Sequence, residues 1–131
     1  MVNILDVDID DLLEKYAATD KLDAMFDLQK HLAAGYGLQP LNLSTKRGQE
    51  QIKHLVFCCV EEMFEMTNTL KNRPWTKSEM QIDMNHFIDE LADTLAFFVE
   101  MLVMTGFSPK EIFEIYLKKL KINQFRRESG Y

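Results

Sequence analysis

The sequence predicts an all-α domain of the four-helix-bundle type. Two observations carry that prediction. Apolar residues recur every three or four positions along most of the chain, the spacing that places them on one face of a helix. Nine Phe and eight Met stand against only five Gly and three Pro, a composition that favours helices over strands. The 131 residues, 47% of them apolar, suffice for one domain with its own core. Within it, residues 1–19 read as a leader and residues 20–131 as the core.

Each element follows from local chemistry. Ile9, Leu12, Leu13 and Tyr16 share a face, so residues 8–18 form a short leader helix. Asp20 is an N-cap for a first main helix that ends at Gly35-Tyr36-Gly37; its stripe is Leu22, Met25, Phe26 and Leu32, with Gln29 on the same side. Residues 38–48 form a loop around Pro40, and a second helix covers 49–71. The buried face there is Ile52, Leu55, Val56, Cys59, Met63, Met66 and Leu70. Pro74 ends this stretch, because the residue before a proline is pushed out of the helical region. Ser78 with Gln81 three positions on reads as a capping box opening a third helix that runs to about 105, apolar nearly all round after Leu95. Ser108-Pro109-x-Glu111 combines an N-cap, a proline at the first helical position and a glutamate at the third. It opens a fourth helix, expected to end near Lys121 before a polar, basic tail.

The net charge of −6 argues against a duplex nucleic-acid footprint, which needs a basic face. It leaves room for a small anionic ligand if a metal supplies positive charge. Cys58 and Cys59 are neighbours and cannot readily bridge each other, so no disulfide framework is expected and a reducing cytoplasm suits the chain (a host's cytoplasm if the chain is viral). The acidic start, residues 1–11, lacks a signal pattern. The longest apolar run, residues 95–104, is interrupted by Glu100 and is too short to span a bilayer, so no membrane association is expected.

Two acidic clusters interrupt the apolar pattern: Glu61, Glu62 and Glu65, then Asp89, Glu90 and Asp93. Glu61 and Glu65 are four apart; Glu62 and Glu65, and Glu90 and Asp93, are three apart, so each set shares a helix face. Burying an unpaired carboxylate costs several kcal/mol, so carboxylates converging inside a helical core require a cation. An all-oxygen donor set suits Mg²⁺, with Mn²⁺ as a substitute, better than zinc. The plain alternative is two solvated acidic faces; Met63, Phe64, Leu91, Leu95 and Phe97-Phe98 beside them argue against it. A di-iron centre would need Glu-x-x-His on each of two helices, and Asp83-x-x-His86 is the single approach to that pattern. His86 lies one turn before Glu90 and reads as a supporting or surface residue. His31 and His54 read as ordinary helix residues, and both cysteines read as core.

The last helix adds Lys118, Lys119, Lys121, Arg126 and Arg127 to an otherwise acidic chain. Lys119, Asn123 and Arg126 share a face if the helix persists past Lys121. These cations could merely suit the negative end of the helix dipole. Beside two carboxylate clusters they suit a nucleoside triphosphate, whose charge needs both metal and basic side chains.

Together these motifs define a resemblance. Glu61-Glu62-x-x-Glu65 followed by Glu90-x-x-Asp93 resembles the EExxE…ExxD signature of the all-α nucleoside triphosphate pyrophosphatases, which include MazG-like enzymes, dimeric dUTPases and phage dNTP pyrophosphatases. Phe26-x-Leu28-Gln29 resembles the first motif of the dimeric dUTPase branch, and Tyr116-x-x-Lys119-x-x-x-Asn123-x-x-Arg126 with Gly130-Tyr131 resembles its last. The likeness covers residues 21–131. It implies Mg²⁺-dependent conversion of a dNTP and water to dNMP and pyrophosphate. Glu61, Glu62, Glu65, Glu90 and Asp93 would hold metal, with Glu62 also activating the attacking water. Lys119 and Arg126 would bind phosphate, Asn123 sugar or phosphate, and Gln29 and Trp75 would meet the base.

The chain departs from the dUTPase pattern at two base-reading positions. Leu32 stands where that branch has Asn, and Ala96 where it has His. Discrimination of this kind rests on hydrogen bonds, so their loss weakens uracil reading and makes the pocket more apolar. The expected substrate is therefore a purine dNTP, dGTP or dATP, as for the MazZ-type phage enzymes. Ordinary dUTPase activity is the alternative, and an acidic helical interaction module is the non-enzymatic one. The long apolar third helix implies a homodimer or homotetramer.

Overall fold

The computed structural model describes residues 2–130, and the Tyr131 of the last motif lies outside them. The described residues are all-helical, without strands. A 3₁₀ turn, Ile4–Asp6, precedes α1 (Asp10–Lys15), α2 (Lys21–Gly35), α3 (Lys46–Thr69), α4 (Met84–Met104) and α5 (Pro109–Glu128).

The leader is shorter than its apolar spacing predicts, because Ile9 at its start offers no side-chain cap and none of its residues is buried. It is tied to α2 by Tyr16, whose hydroxyl donates to Asp27 Oδ2 at 2.6 Å. That bond raises the Tyr16 pKa and lowers that of Asp27. The main helix α2 begins as expected: Asp20 Oδ1 accepts from the backbone N–H of Leu22 and Asp23. It ends in a Schellman turn, with the Leu38 N–H reaching the Ala33 carbonyl and the Gly37 N–H reaching that of Ala34. That turn requires a left-handed residue, and Gly37 supplies it at φ +74°.

Helix α3 starts three residues before the expected point. Thr45 caps it by accepting from the Gly48 N–H, while Thr45 itself donates through N–H and hydroxyl to the Asn42 carbonyl. Gly48 is buried against this turn, and a Cβ there would collide with the Asn42 carbonyl oxygen. Since backbone must shift to relieve that clash, Gly48→Ala should lower stability by about 3 kcal/mol, the upper end of ordinary overpacking costs. Urea denaturation of the two proteins checks this; equal midpoints would show that the Asn42 turn yields freely.

The third main helix does not open at Ser78. Asp83 is its N-cap, accepting from the His86 N–H, and α4 begins at Met84. A capping box at Ser78 would need the N–H groups just after it. Instead the Met80 N–H donates to Asn72 Oδ1 at 2.7 Å, and Asn72 Nδ2 donates back to the Met80 carbonyl, holding this stretch outside a helix. The start of α5 agrees fully: Ser108 Oγ accepts from the Glu111 N–H and Glu111 returns the bond to the Ser108 N–H. This helix runs to Glu128, past the expected end at Lys121.

Packing centres on α4. The two longest helices, α3 and α4, form the most extensive pair, and α2 lies on α4. The pair is antiparallel: Cys59 reaches the Thr94 carbonyl, and one turn later on α3 Glu62 meets Glu90, one turn earlier on α4. The core consists of Phe26 and Ala33 of α2 with Val99, Val103 and Met104 of α4. On α3, Cys59 is buried, whereas Val56 and Met63, and Leu70 at its C-cap, expected on the buried face, are substantially exposed. The axis turns by 108° between α4 and α5, and α5 buries none of its residues. Among the described residues, no single helix is long and apolar enough to cross a membrane.

Candidate metal centre

The antiparallel α3–α4 pair brings Glu62, Glu65 and Glu90 together, with one carboxylate oxygen of each within 4.8 Å of the others. Glu62 and Glu65 reach the seam because three residues make nearly one helical turn. Glu90 comes from the facing helix and is buried, 8% exposed; Glu62 is half-buried and Glu65 open to solvent. Loss of solvent, then the neighbouring charges of Glu65, Asp93 and Glu90, and a hydrogen bond with Glu90 raise the Glu62 pKa above its ordinary value. Asp93, one turn beyond Glu90, is also raised, first by partial desolvation and then by Asp89 and Glu90. Like charges this close resist joint ionisation unless a cation is added.

Glu90 is held from two sides. His86, one turn earlier, lies 2.9 Å from its Oε1 through Nε2. Thr94 donates from its hydroxyl to the Glu90 backbone carbonyl at 2.9 Å, fixing the next turn of α4. Three hard oxygen donors, one exposed and two withdrawn from water, fit a magnesium- or manganese-type ion, which keeps several of its waters.

The other expected residues distribute as follows. Glu61 and Asp93 flank the close group without joining it. Glu61 is exposed and acts through its charge on Cys58. Because α5 continues to Glu128, Lys119, Asn123 and Arg126 do share one of its faces. That helix packs on α2 rather than extensively on α3 or α4, so intrachain packing does not press these groups against the carboxylates. On α2, Gln29 is half-buried and Leu32 exposed; Ala96 is exposed on α4, and Trp75 stands in the α3–α4 connection at 78% exposure.

Sequence reasoning did not identify a cavity of about 300 Å³ beside the centre. Leu38 and Leu41 close it from the α2–α3 loop, Gln51, His54, Leu55 and Cys58 from α3, and Phe97, Glu100 and Met104 from α4. Burial raises the Glu100 pKa. The signal was present in the sequence: Glu100 is the one charge inside the apolar run of residues 95–104.

Comparison with family models, with curated proteins and with solved structures finds no match to this chain.

Proposed function

We propose that this chain is a Mg²⁺-dependent deoxynucleoside triphosphate pyrophosphohydrolase of the all-α type, converting dNTP and water to dNMP and pyrophosphate. The observation that carries the proposal is the convergence of Glu62, Glu65 and Glu90 within 4.8 Å across two antiparallel helices. Those three would hold the ion, with Glu61 and Asp93 beside them. When bound, a divalent ion lowers the pKa of coordinated water and offsets charge on phosphate oxygens.

The chain's own groups have distinct tasks. Glu62 accepts the proton of the water that attacks the α-phosphorus, a task suited to a carboxylate whose pKa is already raised. Lys119 and Arg126 would bind the triphosphate and Asn123 sugar or phosphate, supplied to the carboxylates by a second copy of the chain, since α5 does not pack extensively on α3 or α4. Leu32 and Ala96, without hydrogen-bonding side chains, favour a purine over uracil. We place the functional unit as a homo-oligomer. Leu91 and Leu95 on α4, and Phe113, Leu117 and Leu120 on α5, are exposed, and a second copy of the chain would cover them.

A non-hydrolysable α,β-imido dNTP with Mg²⁺ tests the binding half of this proposal. At 100 times its Kd such a ligand should stabilise the fold by about 2.7 kcal/mol, and neither component alone should match that. A helical interaction module would be indifferent to both, in thermal melts as in calorimetry.

A further inference from the structure

The cavity between α3, α4 and the α2–α3 loop has no task in the proposed chemistry, yet its position relates it to the carboxylates. Cys58 in its wall lies four residues before Glu62, one turn along α3. Phe97 and Glu100 lie four and seven residues after Asp93, on the same stripe of α4. The Cys58 thiol is raised by desolvation and then by the charges of Glu61 and Glu100, with Glu62 also acting on it, so cavity and centre share one electrostatic neighbourhood.

The lining combines apolar walls with Gln51, with His54, whose Nε2 lies 3.7 Å from Cys58 Sγ, and with one unmatched acid. Leu38, Leu41, Leu55 and Met104 supply aliphatic surface, and Phe97 an aromatic ring. Glu100 is half-buried, and its carboxylate makes no hydrogen bond or ion pair among the described residues. A volume of about 300 Å³ stands at the small end of ligand pockets, which suits a planar heterocycle rather than a whole nucleotide. A substrate whose phosphates sit at the carboxylate cluster would extend its base along the α3–α4 seam into this space.

On that basis, and resting on the pyrophosphatase reading, we infer that this cavity, rather than the positions of Gln29, Leu32, Trp75 and Ala96, none of which lines it, is the base pocket and that Glu100 selects guanine. An ionised carboxylate only accepts hydrogen bonds, through two adjacent oxygens. Guanine presents two adjacent donors, N1–H and the N2 amino group, and can satisfy both oxygens. Uracil and thymine offer one N–H between two carbonyls, which repel a carboxylate. Cytosine and adenine each set an amino donor beside a bare ring nitrogen, so the second carboxylate oxygen meets a lone pair. Charge-assisted paired bonds of this kind discriminate strongly where water is partly excluded. A glutamine at this position would instead match adenine, accepting from N6 and donating to N1.

Calorimetric titration with the α,β-imido analogues of dGTP, dATP and dUTP, in Mg²⁺, tests the assignment beside kcat/KM for the natural dNTPs. The wild-type protein should bind the guanine analogue most tightly. Glu100→Gln should weaken that binding roughly 10- to 100-fold, the range for one paired base contact, and improve adenine relative to guanine. Glu100→Ala should show the same guanine loss without the adenine gain, and serves if the glutamine variant does not fold. Tightest wild-type binding of the uracil analogue, or unchanged guanine binding in a folded Glu100 variant, overturns the inference. Pyrophosphate release with no Glu100 dependence sinks the pocket alone. Guanine binding that depends on Glu100, without pyrophosphate release, sinks the reaction and keeps the pocket.

Discussion

Glu62→Gln should abolish pyrophosphate release, with kcat falling at least about 10³-fold, while the helical fold persists. General-base catalysis by a positioned carboxylate typically contributes about 10²- to 10⁴-fold, and a neutral amide can neither take the proton nor serve as an anionic ligand. The same change should make the metal-free protein more stable, not less. In the wild type, Glu62 ionises against loss of solvent and the charges of Glu65, Asp93 and Glu90. An amide of equal size removes that repulsion and keeps a hydrogen bond to Glu90. Steady-state kinetics together with thermal melts would show both effects. Unchanged turnover in a folded variant would remove Glu62 from the water-activating role.

Stability should depend on pH in a way that Mg²⁺ reverses. Glu62, Asp93 and Glu100 all have pKa values raised in the folded state, above ordinary values of 4.5 for Glu and 3.8 for Asp. Between the ordinary and the raised values the folded protein holds more protons than the unfolded chain, so its stability falls as pH rises through that window. Asp27 and Glu111 act oppositely: their lowered values give stability that disappears as pH falls below the ordinary carboxylate range. Both are exposed, so solvent screens their share. Metal-free protein should therefore melt highest in mildly acidic buffer and lower toward neutral pH. A divalent cation competes with those protons at the centre, so the Mg²⁺-induced rise in Tm should be larger at neutral than at acidic pH. Equal rises at both would show that the ion does not meet the Glu62 carboxylate. Metal-free stability climbing steadily with pH would contradict the strained cluster itself.

Local chemistry was legible wherever one short motif decides the backbone. Asp20 and the Ser108–Glu111 box depend on residues within one turn, and both caps form as their sequences predict. The start of α3 escaped notice because it depends on how Thr45 and Gly48 meet the Asn42 carbonyl, a feature of the folded turn. The expected start at Ser78 failed for a similar reason: Asn72 takes the Met80 backbone groups from eight residues away. The end of α5 is masked in the sequence by the run of Lys, Asn, Gln and Arg after Leu120, which has the composition of a tail, although Ile122 and Phe125 continue the apolar spacing to Glu128.

The carboxylate cluster was legible as two faces, since residues three or four apart share a side. Which carboxylates converge was not, because that depends on the register of α3 against α4. In this register Glu62 and Glu65 meet Glu90, leaving Glu61 and Asp93 at the flanks. Glu100 stood out in the sequence as a charge in an apolar run, but its meaning depends on the α2–α3 loop that folds Leu38 and Leu41 over it.

The decisive measurement is pyrophosphate release from each of dGTP, dATP, dUTP, dCTP and dTTP, with Mg²⁺ and with EDTA. Metal-dependent release, fastest from dGTP, is the expected result. Release confined to dUTP would keep the pyrophosphatase and refute the purine pocket. No release from any of the five with Mg²⁺ would contradict the proposed function and put the acidic interaction module in its place.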